Sequence, residues 1–286
     1  MNSQMKEETK QVKKVFELLG IKYIDYRDKK IINYVSKMLN TVNTGADISV
    51  GTIDYNTAIA GSLENLKVLG MEPYIKVSSF ISTIPFLPIH PVSYGYSCHI
   101  SYDLIDETLE VDKSSGTVVN YKVPQKPDIM APLHIGHEHI HVLKETNYEE
   151  YIDSQILGDV IPMFYEFLMC DKYEDMKKLI MSFRLFSLKE DKKHYDNAIN
   201  QMKKRELKDL YKVIATRSGQ YLNSFYYSLL LYNLYKNDSK RVLELVNRVL
   251  NHEMTTREML EELGILYSSN TQVFEEELRI IKKVLK

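Results

Sequence analysis

Five consecutive residues, His137-Glu138-His139-Ile140-His141, fit the H-E-x-x-H pattern of zinc hydrolases. On a helix, residues four apart lie one above the other, so His137 and His141 can present two imidazoles to a single ion. Two neutral imidazole nitrogens and one carboxylate oxygen leave a tetrahedral Zn2+ with an open fourth position, where a water can sit. The ion brings the pKa of that water to about 7, within reach of an ordinary carboxylate. Glu138, beside the ligand face, is then the expected general base, taking the proton and returning it to a leaving amine. The chemistry this implies is peptide-bond hydrolysis with one Zn2+ per chain and no other cofactor.

These side chains need a helix under them. Pro132 suits a first helical turn, and Ile135, Ile140, Val142 and Leu143 supply apolar positions for a buried helix through about Glu145. His134 lies one turn before His137, where it is either a helix-start histidine bonded to solvent or backbone, or a substrate contact. His139 faces elsewhere, and neither is expected to be a ligand. Four of the eight histidines fall between 134 and 141, so a solvated, His-rich helix without metal is the plain alternative.

The third ligand is sought downstream. Gly158 and Asp159 break the pattern before Val160-Ile161-Pro162-Met163-Phe164-Tyr165-Glu166-Phe167-Leu168, with Asp159 reading as an N-cap and Pro162 falling in the first turn. Glu166 is then a lone carboxylate in an apolar helix. It either lies on an exposed stripe or needs a countercharge, and a metal ion would supply one. Asp171 and Glu174 are candidates to accept the other N–H of a ligating imidazole, or else belong to a hydrated turn.

The motif helix, followed twenty-five residues after His141 by Glu166 within Phe164-Tyr165-Glu166, resembles the thimet oligopeptidase and oligoendopeptidase F family of zinc peptidases. The resemblance covers about residues 95 to 235. It implies a zincin-like fold with His137, His141 and Glu166 as zinc ligands and Glu138 as the residue that activates water. It also implies a Tyr-rich helix whose hydroxyls stabilise the oxyanion, similar to Gly219-Gln220-Tyr221-Leu222-Asn223-Ser224-Phe225-Tyr226-Tyr227-Ser228. Tyr221, Tyr226 and Tyr227 are the candidates there, with an amphipathic core helix as the alternative. The chain departs from the family at Ile140, where Gly is preferred, and, with Tyr221 aligned on the family's Gly-Tyr, at Thr216, where a His is expected, and at Phe225, where a Tyr is usual.

Around this centre the 286 residues, 44% hydrophobic and 27% charged, suit an ordinary globular chain with a substantial core. A formal net charge of −2 gives no basic excess, so nucleic acid is not an expected partner. The polar N-terminus and the lack of a long apolar run point to a cytoplasmic protein with no membrane segment. Cys98 and Cys170 lack the spacing of a redox or zinc pair and read as ordinary thiols.

Periodicity predicts helices over 5–18, 28–42 and 55–69, the last ending at Gly70, then strands between Tyr74 and Pro124 with a hairpin turn at 112–116. Further helices are predicted over 195–213, 220–235, 239–251, 256–267 and 272–286. The expected fold is mainly α with a small antiparallel β-sheet (α+β), one domain over 1–286. It comprises a helical section at 1–72, a zincin-like core at 73–236 and C-terminal helices at 237–286. The expected function is a zinc-dependent metallopeptidase acting on oligopeptides or a flexible protein segment. A regulatory protease for a single protein partner, or an inactive metal-binding or interaction protein, are the alternatives.

Overall fold

The structure, a computed structural model, describes residues 26–42, 51–70, 97–100, 119–122, 127–144, 156–202, 208–268 and 270–286. These are mainly helical: α1 (Tyr26–Leu39), α2 (Tyr55–Leu66), α3 (Ala131–Lys144), α4 (Val160–Lys172), α5 (Lys177–Gln201), α6 (Lys208–Asn237), α7 (Ser239–Leu250), α8 (Thr256–Glu262) and α9 (Thr271–Val284). Two four-residue strands, β1 (Ser97–Ile100) and β2 (Val119–Lys122), pair antiparallel with Cys98 opposite Tyr121. They lie beside α3. The helix predicted over 5–18 and the hairpin turn at 112–116 lie outside the described residues.

The outer helices follow the 3.6-residue rule. In α1, Ile31, Ile32, Val35 and Leu39 are buried while Lys29, Lys30, Asn33 and Lys37 are exposed. In α7 the buried set is Val242, Leu245, Val246, Val249 and Leu250, the i, i+3, i+4, i+7, i+8 stripe of a surface helix. Asp54 caps α2 by accepting from the Thr57 N–H at 2.9 Å. That helix tightens into a 3₁₀ turn at Lys67–Leu69 and stops at Gly70, whose φ of +74° suits glycine.

Two helices form the interior. In α4 every residue from Val160 to Cys170 is buried, because α3, α5 and α6 surround it. In α6 the run from Leu222 to Leu231 is buried. Its small polar residues survive there by bonding backbone carbonyls: Asn223 Nδ2 and Ser224 Oγ donate to the Ile156 carbonyl, and Ser228 Oγ to that of Val160. These bonds fix α6 against the turn that opens α4.

Two predicted helices end differently. The 195–213 stretch is the end of α5 and the start of α6, with a turn at Met202. The 256–267 helix stops at Glu262, where Gly264 adopts a φ of +68° and returns its N–H to the Glu261 carbonyl at 2.9 Å. Among the described residues, no helix is long and apolar enough to cross a membrane.

Candidate metal centre

The motif lies on α3, as its spacing requires. The backbone before the helix is held by Asp128, whose carboxylate accepts from the Met130 N–H at 2.8 Å. One turn in, Gly136 faces the fully buried Tyr165 of α4: a Cβ there would sit 2.8 Å from the ring's Cζ. Glycine thus lets α3 and α4 close together directly beside the ligand-bearing turn. His137 and His141 follow on one face, ring centroids 5.1 Å apart.

The carboxylate between them belongs to Asp159. Its Oδ1 lies 3.3 Å from the Nε2 of His137 and 3.3 Å from that of His141. Its other oxygen, Oδ2, accepts from the Gln220 side-chain amide of α6 at 2.8 Å. Although Asp159 occupies the N-cap position of α4, its side chain makes no capping bond. The sequence removes one of the two donors such a cap would use. An N-cap side chain accepts from the N–H of the second or third helical residue, and the third residue here is Pro162, which has none.

Glu166 is placed otherwise than as a ligand, correcting that expectation. Its Oε1 lies 2.8 Å from the Nδ1 of His137, the ring nitrogen turned away from Asp159. Arg184 of α5 grips the same carboxylate, its Nε 2.6 Å from Oε2 and its Nη2 on Oε1. All three side chains are buried. The countercharge that a buried Glu needs is therefore supplied by Arg184. Nothing in the local sequence announced it, since Arg184 lies eighteen residues away on another helix.

Electrostatics follow from this packing. Burial opposes ionisation of Glu166, but Arg184 and His137 outweigh it and hold the carboxyl down at about 2. Burial likewise opposes the charge on Asp159, yet the two histidines hold it well below the ordinary carboxylate range. Burial alone would lower His137, but its bonds to Asp159 and Glu166 and the charge of Glu166 push it up to about 9. Two buried carboxylates against one buried guanidinium leave the cluster short of one positive charge. A proton on His137, or a cation at Nε2, makes up the deficit.

The donor set fits a small divalent ion. With bonds of about 2.0–2.1 Å, the edge of a tetrahedron around Zn2+ is about 3.3–3.4 Å. The two Nε2–Oδ1 separations of 3.3 Å match such edges. A charge-assisted hydrogen bond is shorter, about 2.7–2.9 Å, which is what the opposite nitrogen of His137 makes with Glu166 at 2.8 Å. All three ligand atoms lie within 4.8 Å of one another. His141 is 21% exposed, so solvent reaches the group from its side. Glu138 is half-buried, and among the described residues its carboxylate makes no hydrogen bond or ion pair.

The remaining candidates separate clearly. Tyr221 is half-buried on α6, next to Gln220, and the charge of Asp159 followed by burial pushes its hydroxyl up to about 12. Tyr226 and Tyr227 are turned elsewhere, contrary to expectation. Tyr226 donates to the Ser268 carbonyl at 3.1 Å, and Tyr227 accepts from the Tyr267 N–H at 3.1 Å. Being five and six residues beyond Tyr221, they lie on other faces of the same helix. His134 packs at a tilt against Phe183 with centroids 4.5 Å apart, and burial pushes it down to about 3. His139 is fully buried away from the pair and pushed down to about 4.

Neither Asp171, in the last turn of α4, nor Glu174, just beyond it, supports an imidazole. Asp171 accepts from the Tyr232 hydroxyl at 2.7 Å, and Glu174 pairs with Lys177 at 3.4 Å on the surface. Cys170 is buried, which pushes its thiol up and leaves it inert. Thr216 is buried and Phe225 sits in the core between Phe167 and Phe274. No family model matches the chain, and neither a curated protein nor a solved structure matches it.

Proposed function

We propose that this chain is a metal-dependent peptidase whose ion is held by His137, His141 and Asp159, with Glu138 as the general base. The observation that carries the reading is the single carboxylate oxygen of Asp159, 3.3 Å from both Nε2 atoms on the helix that also bears Glu138. A nitrogen- and oxygen-donor set of three suits Zn2+ and leaves a coordination position open. Bound there, the ion supplies Lewis acidity, lowering the pKa of a water and polarising a carbonyl.

The protein's own groups supply the rest. Glu138, half-buried and unengaged among the described residues, accepts the proton of the attacking water and passes it to the leaving amine. Tyr221, beside Asp159, is the hydroxyl suited to steady the developing oxyanion. Peptides or a flexible protein segment are the substrates favoured by the H-E-x-x-H resemblance. The strand pair beside α3 supports an extended substrate held by backbone hydrogen bonds.

Zinc content and turnover test this together. Purified protein is expected to carry about one zinc per chain, removable by chelators, and to cleave a mixed peptide library. Glu138→Gln should keep the metal and lose the cleavage. Metal-free wild type would sink the reading, and bound zinc without cleavage of any peptide would make the chain a metal-binding interaction protein.

A further inference from the structure

The buried pair Glu166–Arg184 lies behind the candidate centre and none of the chemistry above uses it. It is costly to build. An ion pair taken out of water loses the hydration of both ions, and a well-packed apolar pair often serves stability as well. Its geometry is specific instead. Glu166 meets the Nδ1 of His137 at 2.8 Å, on the opposite edge of the ring from Asp159. A carboxylate at Nδ1 keeps a proton there, so Nε2, on the Asp159 side, is the nitrogen whose proton an ion can replace.

Arg184 then decides what Glu166 can do. Its Nε and Nη2 take one hydrogen bond to each oxygen, so the carboxylate is fixed in plane and in charge. With both oxygens engaged and the guanidinium covering them, Glu166 cannot swing round to the Nε2 side. A free buried glutamate could compete for the ion, and a protonated one would not hold the imidazole.

We infer that Glu166 and Arg184 are a positioning pair: Glu166 fixes His137 as the Nδ1–H tautomer with Nε2 open to metal, and Arg184 clamps Glu166 in that role. This rests on the metal centre proposed above. It assigns Asp159, not Glu166, to the ion, although Glu166 is the residue whose sequence offset suggested a ligand.

Zinc affinity by chelator competition, read with the imidazole nitrogen spectrum of His137, tests the assignment. Glu166→Gln should still bind one zinc, about 10–100-fold more weakly, as loss of a supporting carboxylate typically does. The His137 Nδ1–H resonance should broaden or move in that variant. Asp159→Asn should lose zinc outright while keeping the Nδ1–H signal. Should Glu166→Gln alone leave Arg184 uncompensated and unfold the chain, Glu166→Gln/Arg184→Met removes both charges and carries the same comparison. Zinc lost in either Glu166 variant but kept in Asp159→Asn would overturn the inference, as would wild-type affinity and an unchanged Nδ1–H signal in Glu166→Gln. Wild type that binds no zinc would instead remove the centre itself.

Discussion

The amide of Gln220 meets Oδ2 of Asp159 at 2.8 Å and so fixes which carboxylate oxygen faces the two imidazoles. The bond joins α6 to the turn before α4, and the neighbouring bonds from Asn223 and Ser224 to the Ile156 carbonyl hold the same turn. Gln220→Ala would release Oδ2 and let the carboxylate rotate. A bond to a charged acceptor contributes about 1.5–3 kcal/mol, so the metal-free protein should melt earlier. Zinc affinity should fall about 10-fold, while one zinc per chain is still bound at saturation. Thermal melts in chelator and a zinc titration measure the two effects separately.

A second relationship governs how closely the helices approach. Gly136→Ala would gain about 1 kcal/mol of helix propensity. Against this, the new methyl would lie 2.8 Å from Cζ of Tyr165, a side chain with no exposed surface to yield into. Overpacking of that kind costs about 1–3 kcal/mol. The net sign should be destabilising, seen as a lower urea midpoint with an unchanged slope. Adding Tyr165→Phe should restore only part of the loss, because the ring carbon stays close after the hydroxyl has gone.

The tyrosines of α6 provide a functional contrast. Tyr221→Phe should lower kcat by about 10²–10³-fold if its hydroxyl steadies the oxyanion, with zinc affinity unchanged. A fall in zinc affinity instead would make it a support for Asp159. Tyr226→Phe and Tyr227→Phe each lose a hydrogen bond to the chain near Ser268 and Tyr267. They should cost about 1 kcal/mol of stability and leave turnover as it is. Steady-state rates with a peptide substrate, beside equilibrium unfolding, distinguish the three.

What the sequence made legible follows the range of the forces involved. The two ligand histidines were visible because a four-residue spacing on a helix is a local property. The outer helices were visible because each buries one stripe, as α1 and α7 do. For Glu166 the sequence shows the need for a countercharge and offers a metal ion as its source. Arg184 reaches it through the crossing of α5 over α4, a tertiary relation with no local signature. Asp159 reads as a cap because Asp before an apolar run usually is one. Pro162 was the available clue, since it removes one of the two N–H groups that such a cap would use. Among the tyrosines the sequence offers no ranking, for the opposite reason: five in fifteen residues, from Tyr221 to Tyr235, leave no local means of choosing among faces.

Asp191 of α5 supplies a pH test. It is half-buried, and burial pushes its carboxyl up to about 7, with the charge of Asp159 adding to the rise against the opposing Arg184 and Arg217. A carboxyl whose folded pKa exceeds its ordinary value of 3.8 favours the folded state fully only below that value. Its contribution then fades as pH rises towards about 7 and stays lost above it. Asp191→Asn abolishes this titration. In chelator, where no ion offsets Asp159, the melting temperature of the variant relative to wild type should climb between about pH 4 and pH 7 and level off beyond. A difference that is flat across that range would show that Asp191 ionises in the folded chain as it does in the unfolded one. With zinc added, the climb should shrink, because an ion on Asp159 removes the negative charge that helps hold the Asp191 proton.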